Sequence, residues 1–306
     1  MLILILAGLT LVLALLLLAL IPRMIIGPML EGPVKYSRFY DPADYGLQAS
    51  PLSLRSSDGL NLEAFAVKHP QPRGALIFLT GIHNPSVTAF YGHAAMLQAE
   101  GFASLLLEVR AHGQSEGDLI SLGYHEVKDV QAAVDYLASQ PELAQKPLIV
   151  FGLSLGGAVA INAAAHIPRL DGLIALSAYS AFSDAFIDNM RAAGFPRFLL
   201  PLQRPLVNSY LGRRLGRKNL DLTPIKSITL LGDKPALLMH SREDSQVPFA
   251  SFERLLKAAP AGTRSWVVEG DNHFILPGEG FLQPVDFPEY QAVLLKFLES
   301  CIKSGM

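Results

Sequence analysis

The chain has 306 residues, half of them hydrophobic and 17% charged, which excludes global disorder and leaves ample length for a buried core. Its 25 basic and 27 acidic residues give a net charge of −2, so nucleic acid is not an expected partner. The single cysteine, Cys301, excludes an internal disulfide framework and a cysteine-rich zinc site.

Leu2 to Ile21 carries no charge and one polar side chain, Thr10. Twenty such residues as a helix span about 30 Å, a bilayer core. No basic residue precedes the run and no small-x-small cleavage site follows it, so it reads as an uncleaved anchor over residues 1–22 rather than a signal peptide. Arg23, Lys35 and Arg38 follow it, which by the positive-inside rule places the bulk of the chain on the cytoplasmic side of a single-pass protein. Prolines and glycines at 22, 27, 28, 32 and 33, then Asp41-Pro42 and Ser50-Pro51, predict an irregular connector over 23–50.

From residue 51 to about 302 short apolar runs alternate with segments of helical period. Strands are expected at Pro51–Ser56 and Leu62–Val67, around an Asp58-Gly59 turn, and at Ala75–Leu79, Phe102–Val109, Leu148–Phe151, Leu173–Leu176, Pro235–His240 and Ser265–Val268. Helices are expected from Asn84-Pro85 to Gly101, at His125–Ser139, Ser154–His166, Phe249–Ala259 and Phe287–Cys301. This alternation predicts an α/β fold with a mostly parallel sheet covered on both faces, interrupted by one insertion over about 180–231.

Gly152-Leu153-Ser154-Leu155-Gly156-Gly157 lies between a buried strand and a helix of small residues. A serine on such a tight turn projects its hydroxyl from the sheet edge, and flanking glycines leave room for the neighbouring backbone. Gly113-Gln114-Ser115-Glu116-Gly117 has the same pattern but lies in a loop with no small-residue helix after it, so Ser154 and not Ser115 is the expected nucleophile. A serine hydroxyl needs a base. His273 follows the last strand in a polar loop; Asp244 follows the preceding strand, with Glu243 as runner-up and Asp271 close in sequence to His273. The resulting order is Ser…Asp…His.

These segments resemble the α/β-hydrolase superfamily of serine hydrolases over roughly residues 51–302. The resemblance rests on Gly-Leu-Ser154-Leu-Gly-Gly, Arg242-Glu-Asp244 with Val247-Pro248, Asp271-Asn-His273, and Glu108-Val-Arg110-Ala-His112-Gly-Gln-Ser115, which looks like a structural segment of that family. Departures fall at Thr80-Gly81, where the family has His-Gly, at Glu108 for its Asp, and at His240-Ser241 for His-Gly. The resemblance implies an α/β-hydrolase fold with a lid in the insertion. It also implies an oxyanion hole made by the backbone N–H groups of Leu155 and Ile82, and a Ser154–His273–Asp244 triad acting through an acyl-enzyme without a cofactor.

His83, beside Ile82, reads either as a residue lining the site or as a solvent-facing loop histidine, the second being favoured. His69, His93, His112, His125 and His166 lack metal-ligand spacing, so no metal is expected. Between Arg191 and Lys218 the insertion holds seven basic residues and no acid, interleaved with Phe195, Phe198, Leu202 and Leu206. That composition suits either an anionic lipid surface or an ordinary amphipathic lid with solvated arginines. The expected activity is hydrolysis of a small-molecule or lipid acyl ester or thioester. An amidase or serine peptidase on the same residues, and a non-catalytic membrane-anchored scaffold, remain open, as do oligomeric state, acyl length and leaving group.

Overall fold

The computed structural model describes residues 1–83 and 85–304, without the side chains of 2, 4, 7, 11, 14, 15, 218, 219 and 304. Among the described residues eight strands form one sheet in the order β1-β2-β4-β3-β5-β6-β7-β8. The strands are β1 Ala49–Arg55, β2 Asn61–Val67, β3 Gly74–Leu79, β4 Phe102–Leu107, β5 Leu148–Leu153, β6 Gly172–Leu176, β7 Ala236–Ser241 and β8 Arg264–Val268. β1 and β2 pair antiparallel, as do β2 and β4; all other neighbours are parallel. The expected strands are therefore present, each within two residues of its predicted ends.

β3, β4, β5, β6 and β7 are buried along their whole lengths, as continuous apolar runs covered on both faces must be. One core packs α3 (Val127–Ser139), α4 (Leu155–His166) and α8 (Ala250–Ala258) on one face; the other packs α2 (Tyr91–Ala99) and α9 (Pro288–Ser304) on the opposite face. α3 buries Val130, Val134 and Leu137, the stripe its 3.6-residue period predicts. α4 buries every residue from Leu155 to Ala164; only small side chains let a helix lie that deep.

Two elements differ from expectation. The helix expected from Asn84-Pro85 begins as α2 only at Tyr91, after a short 3₁₀ turn at Val87–Phe90 capped by Ser86; Asn84 lies outside the described residues. At the amino terminus one helix, α1, runs from Leu2 to Leu30, straight through Pro22 and Pro28, where sequence rules end it at Pro22. The reason is tertiary: Ile26 and Leu30 are fully buried in the core and α1 packs on the insertion, which outweighs the local cost of proline. Part of the predicted connector is thus helix, and its remainder joins the domain through bridges at Glu31–Leu119 and Val34–His112. Among the described residues no helix is long and apolar enough to cross a membrane. The transmembrane anchor expected over Leu2–Ile21 is not supported by the fold and stands below as a proposal.

The insertion folds as α5 (Phe182–Ala192), α6 (Leu200–Leu215) and α7 (Pro224–Ser227) with short 3₁₀ turns. α6 packs on both α5 and α1. The chain passes from β3 to β4 on one side of β3 and then crosses back from β4 to β5 on its other side, so the crevice beyond the carboxyl ends of β3 and β5 is the topological switch point where ligands bind in open α/β sheets.

Candidate active site

Ser154 stands at that switch point, between β5 and α4, with φ 56° and ψ −116°. A non-glycine residue there is strained, and its neighbours make the turn possible. A Cβ on Gly152 would overlap the carbonyl of Gly156, and one on Gly156 would overlap the carbonyls of Leu79 and Thr80 on the adjoining strand end. Ser154 N donates to Leu176 O at 2.8 Å, locking the turn onto β6. Ser115, with the same local pattern, is buried, and its hydroxyl is committed: Oγ donates to Glu108 O at 2.6 Å and accepts from Glu63 N at 2.8 Å.

His273 and Asp244 meet. The His273 Nδ1 to Asp244 Oδ2 distance is 2.8 Å and both residues are buried. The other carboxylate oxygen accepts from Gln246 N and Val247 N, each at 2.9 Å. Burial pushes the Asp244 carboxyl up, but these bonds, led by that from His273, prevail and hold it below the usual carboxylate range. Glu243 is exposed, and Asp271 accepts from Ser245 N at 2.9 Å, so neither orients the imidazole. Ser177 at the end of β6 donates Oγ to His273 O at 2.7 Å, which fixes the histidine loop to the strand beside the serine turn. No hydrogen bond joins Ser154 Oγ to His273 among the described residues; in unliganded hydrolytic sites this bond is often long and tightens around substrate.

Leu155 N and Ile82 N, the two expected oxyanion donors, have no partner among the described residues, and both residues line the cavity that Ser154 lines. The Ile82 loop is pinned at three points. Thr80 Oγ1 donates to Pro85 O at 2.6 Å. Fully buried Glu108 accepts from Ser86 Oγ at 2.6 Å and Val87 N at 2.9 Å, while Tyr36 OH donates to its second oxygen at 2.7 Å. His83 is not a solvent-facing loop histidine: it is half-buried, and its Nε2 donates to Met29 O of α1 at 3.1 Å.

Sequence reasoning missed Tyr36, Ser177 and the work done by Ser241. Ser241 stands where the resembled family has glycine; its hydroxyl donates to Gly270 O and accepts from Asn272 N at 3.1 Å, tying the acid loop to the histidine loop. The departure from His-Gly was the available signal. His240 braces the same loop, its Nε2 donating to Val247 O at 2.8 Å.

Burial raises the Glu108 carboxyl from 4.5 to about 7, against the hydrogen bonds it accepts. The folded protein therefore keeps a proton that the unfolded chain releases, so this group's contribution to stability falls as pH rises from about 4.5 to about 7, by on the order of 3 kcal/mol. Urea midpoints at about pH 5 and about pH 8 should drop in the wild type more than in Glu108→Gln; equal drops would refute the assignment.

The cavity at Ser154 has a volume of about 450 Å³. Its other walls come from α5 (Phe182, Phe186, Asn189, Met190), from Tyr179, Gln246 and Val247, and from Ile25 and Met29 of α1. Among the described residues none that lines it is charged. The arginines of the insertion divide into two sets. Arg204 pairs with Asp184 and Arg191 with Asp188 (2.7 Å), whereas exposed Arg197, Arg213, Arg214 and Arg217 make no ion pair among the described residues. Among the described residues no group of three histidine, cysteine or acidic side chains is placed to hold a metal.

The family profile of serine aminopeptidase, S33, matches residues 70–224, half of the chain and the part that carries Ile82 and the serine turn. The chain belongs to the serine aminopeptidase S33 family. It is an α/β hydrolase of serine-hydrolase type. Relatives of this S33 protein include the uncharacterized protein YqkD of Bacillus subtilis, 28% identical over 178 residues (56% of each chain). The α/β hydrolase domain-containing protein WAV2 of Arabidopsis thaliana is 27% identical over 78% of this chain and 75% of its own. The rat acylamino-acid-releasing enzyme is 29% identical over 63% of this chain, yet the match spans only 27% of that enzyme. The chain thus spans just over half the length of YqkD and about a quarter of the rat enzyme. Among solved structures, an esterase of Pyrococcus furiosus superposes with a TM-score of 0.67 at 21% identity, covering 89% of this chain and 98% of its own, a likeness of fold.

Proposed function

We propose that this chain is a membrane-anchored carboxylic ester hydrolase. Ser154 Oγ attacks an acyl carbonyl as His273 takes its proton. The oxyanion sits between Leu155 N and Ile82 N, and Asp244 holds the imidazole in its working tautomer. The C–O or C–S bond to the leaving group breaks, His273 returns the proton to that group, and water releases the acid by the same steps in reverse. No cofactor takes part. The observation that supports the reading is a strained serine lining an apolar cavity after β5, together with a histidine–aspartate pair at 2.8 Å after β8 and β7 of the same parallel sheet, with Ser177 Oγ at the end of β6 bonded to His273 O.

The uncharged lining favours an ester or thioester over a peptide with a free amino terminus, which would need a carboxylate to receive its ammonium group. The family description keeps the peptidase reading in view. The anchor proposal is supported by the uninterrupted apolar run Leu2–Ile21 and by outward-facing Ile3, Leu9, Val12, Leu16 and Leu17. Exposed Phe198 and Leu202 beside unpaired Arg197 are consistent with a lid lying at an anionic lipid surface. Arg23, Lys35 and Arg38 put the domain on the cytoplasmic face.

One experiment tests the whole reading. Membranes and soluble fraction from cells making the full chain are treated with a fluorophosphonate, then assayed with p-nitrophenyl esters and with aminoacyl amides. Labelling of Ser154 in the carbonate-washed membrane pellet, with esters turned over faster than amides, is expected. Absence of labelling overturns the hydrolase reading, a soluble labelled band overturns the anchor, and preference for amides overturns the ester assignment.

A further inference from the structure

The last two turns of α1 have two faces with different uses. Ile26 and Leu30 are fully buried and fasten the helix to the core. Their neighbours Ile25 and Met29, one turn apart, are not consumed by that packing: Ile25 is 48% exposed and Met29 half-buried, and both line the Ser154 cavity. Met29 is also the residue whose carbonyl accepts from His83, the residue next to the oxyanion donor Ile82. This stretch of α1 is therefore held in register with the reacting centre. The same cavity is lined by Phe182, Phe186 and Met190 of α5. Going back along α1, half-buried Ile21 and Leu18 continue the row of Met29 and Ile25 at spacings of three and four residues. An apolar stripe thus leads from the cavity toward the amino terminus.

We infer that Ile25 and Met29 are specificity-determining residues of the site and that its substrates are esters or thioesters of long, unbranched fatty acids, whose chain lies against α1. This rests on the ester-hydrolase reading of Ser154 and names its substrate class. A polar acyl group finds no hydrogen-bonding partner in the side chains of Ile25 and Met29, or in Phe182, Phe186 and Met190. A flexible hydrocarbon chain buries apolar area against them, and the thioethers of Met29 and Met190 adapt to its bends. Each methylene placed in such a pocket contributes to discrimination, so a blocked wall acts on long chains far more than on short ones.

The test uses the full chain in detergent and the kcat/KM ratio for p-nitrophenyl palmitate over acetate. The wild type favours the longer chain. Ile25→Trp and Met29→Trp lower the ratio about tenfold or more, while Met24→Trp, on the exposed face of the same helix at 72% exposure, leaves it where it was. Fluorophosphonate labelling is run beside every assay. Should a tryptophan variant lose labelling through misfolding, Ile25→Ala and Met29→Ala replace it, and these widen the cavity and raise turnover of branched-chain esters relative to straight ones. Labelled variants with an unchanged ratio, or a wild type that cleaves acetate and not palmitate, overturn the inference and leave the Ser154 reading standing. A wild type that is neither labelled nor active on any ester overturns that reading instead.

Discussion

On the proposed mechanism, replacing Ser154 with alanine is expected to lower kcat/KM on an ester by about 10⁶-fold, because a nucleophile, its base and the orienting acid act as a unit. The fall lies entirely in turnover: the hydroxyl makes no hydrogen bond within the fold, so nothing buried is left unpaired by its loss. Asp244→Asn costs less, about 10⁴-fold, by turning the His273 imidazole to the wrong tautomer while the loop keeps its shape through Gln246 N and Val247 N. Stability separates the two possible replacements at 154. The backbone there holds φ 56°, so alanine inherits the strain that serine carries, whereas glycine relieves it. Ser154→Gly is therefore as inactive as Ser154→Ala but melts later, by about 1 kcal/mol once the greater freedom of glycine in the unfolded chain is subtracted. Calorimetry on the three proteins beside ester assays measures both effects. Wild-type-like turnover in Ser154→Ala would remove the serine from the mechanism, and identical melting of the two variants would remove the strain.

What could be read from the residue string follows the range of the interactions concerned. The serine turn was legible because it is local. Gly152, Ser154 and Gly156 lie within five residues of one another, and the buried strand and small-residue helix that force them together adjoin in sequence. Asp244 and His273 were legible for a related reason, since each follows a short strand of the parallel set and all such strands end at one edge. The amino terminus was not legible past Pro22. Local propensity ends a helix there, and only the burial of Ile26 and Leu30 against residues far along the chain carries it on. The role of Ile25 and Met29 as cavity wall was hidden with it. Tyr36 was hidden likewise: its bond to Glu108 crosses 72 positions. Ser115 shows the converse, a motif in letters whose hydroxyl is fully used by Glu108 and Glu63.

The glycines around the nucleophile carry the second large effect, on folding rather than chemistry. Gly156→Ala is expected to leave little folded protein. The added methyl would meet the carbonyls of Leu79 and Thr80, which are backbone atoms at the end of a central strand and have no rotamer to yield. Relief requires α4 to move off β3, and α4 is buried along Leu155 to Ala164, so its displacement opens the core on that face. The cost lies in the exceptional range, above about 4 kcal/mol. Gly157→Ala is the milder comparison, since its Cβ would stand 3.0 Å from the Ala178 methyl and from Leu176 O and only small shifts are needed. The same contact has a functional side. Thr80 and Gly81 begin the loop that carries Ile82, so whatever pushes Leu79 and Thr80 away from α4 also moves one oxyanion donor relative to the other, Leu155 N. Any folded fraction of Gly156→Ala should then take up fluorophosphonate more slowly than the wild type, even with Ser154, His273 and Asp244 all present. Soluble, normally melting Gly156→Ala that labels at the wild-type rate would mean that helix and strand do not approach as closely as this geometry requires.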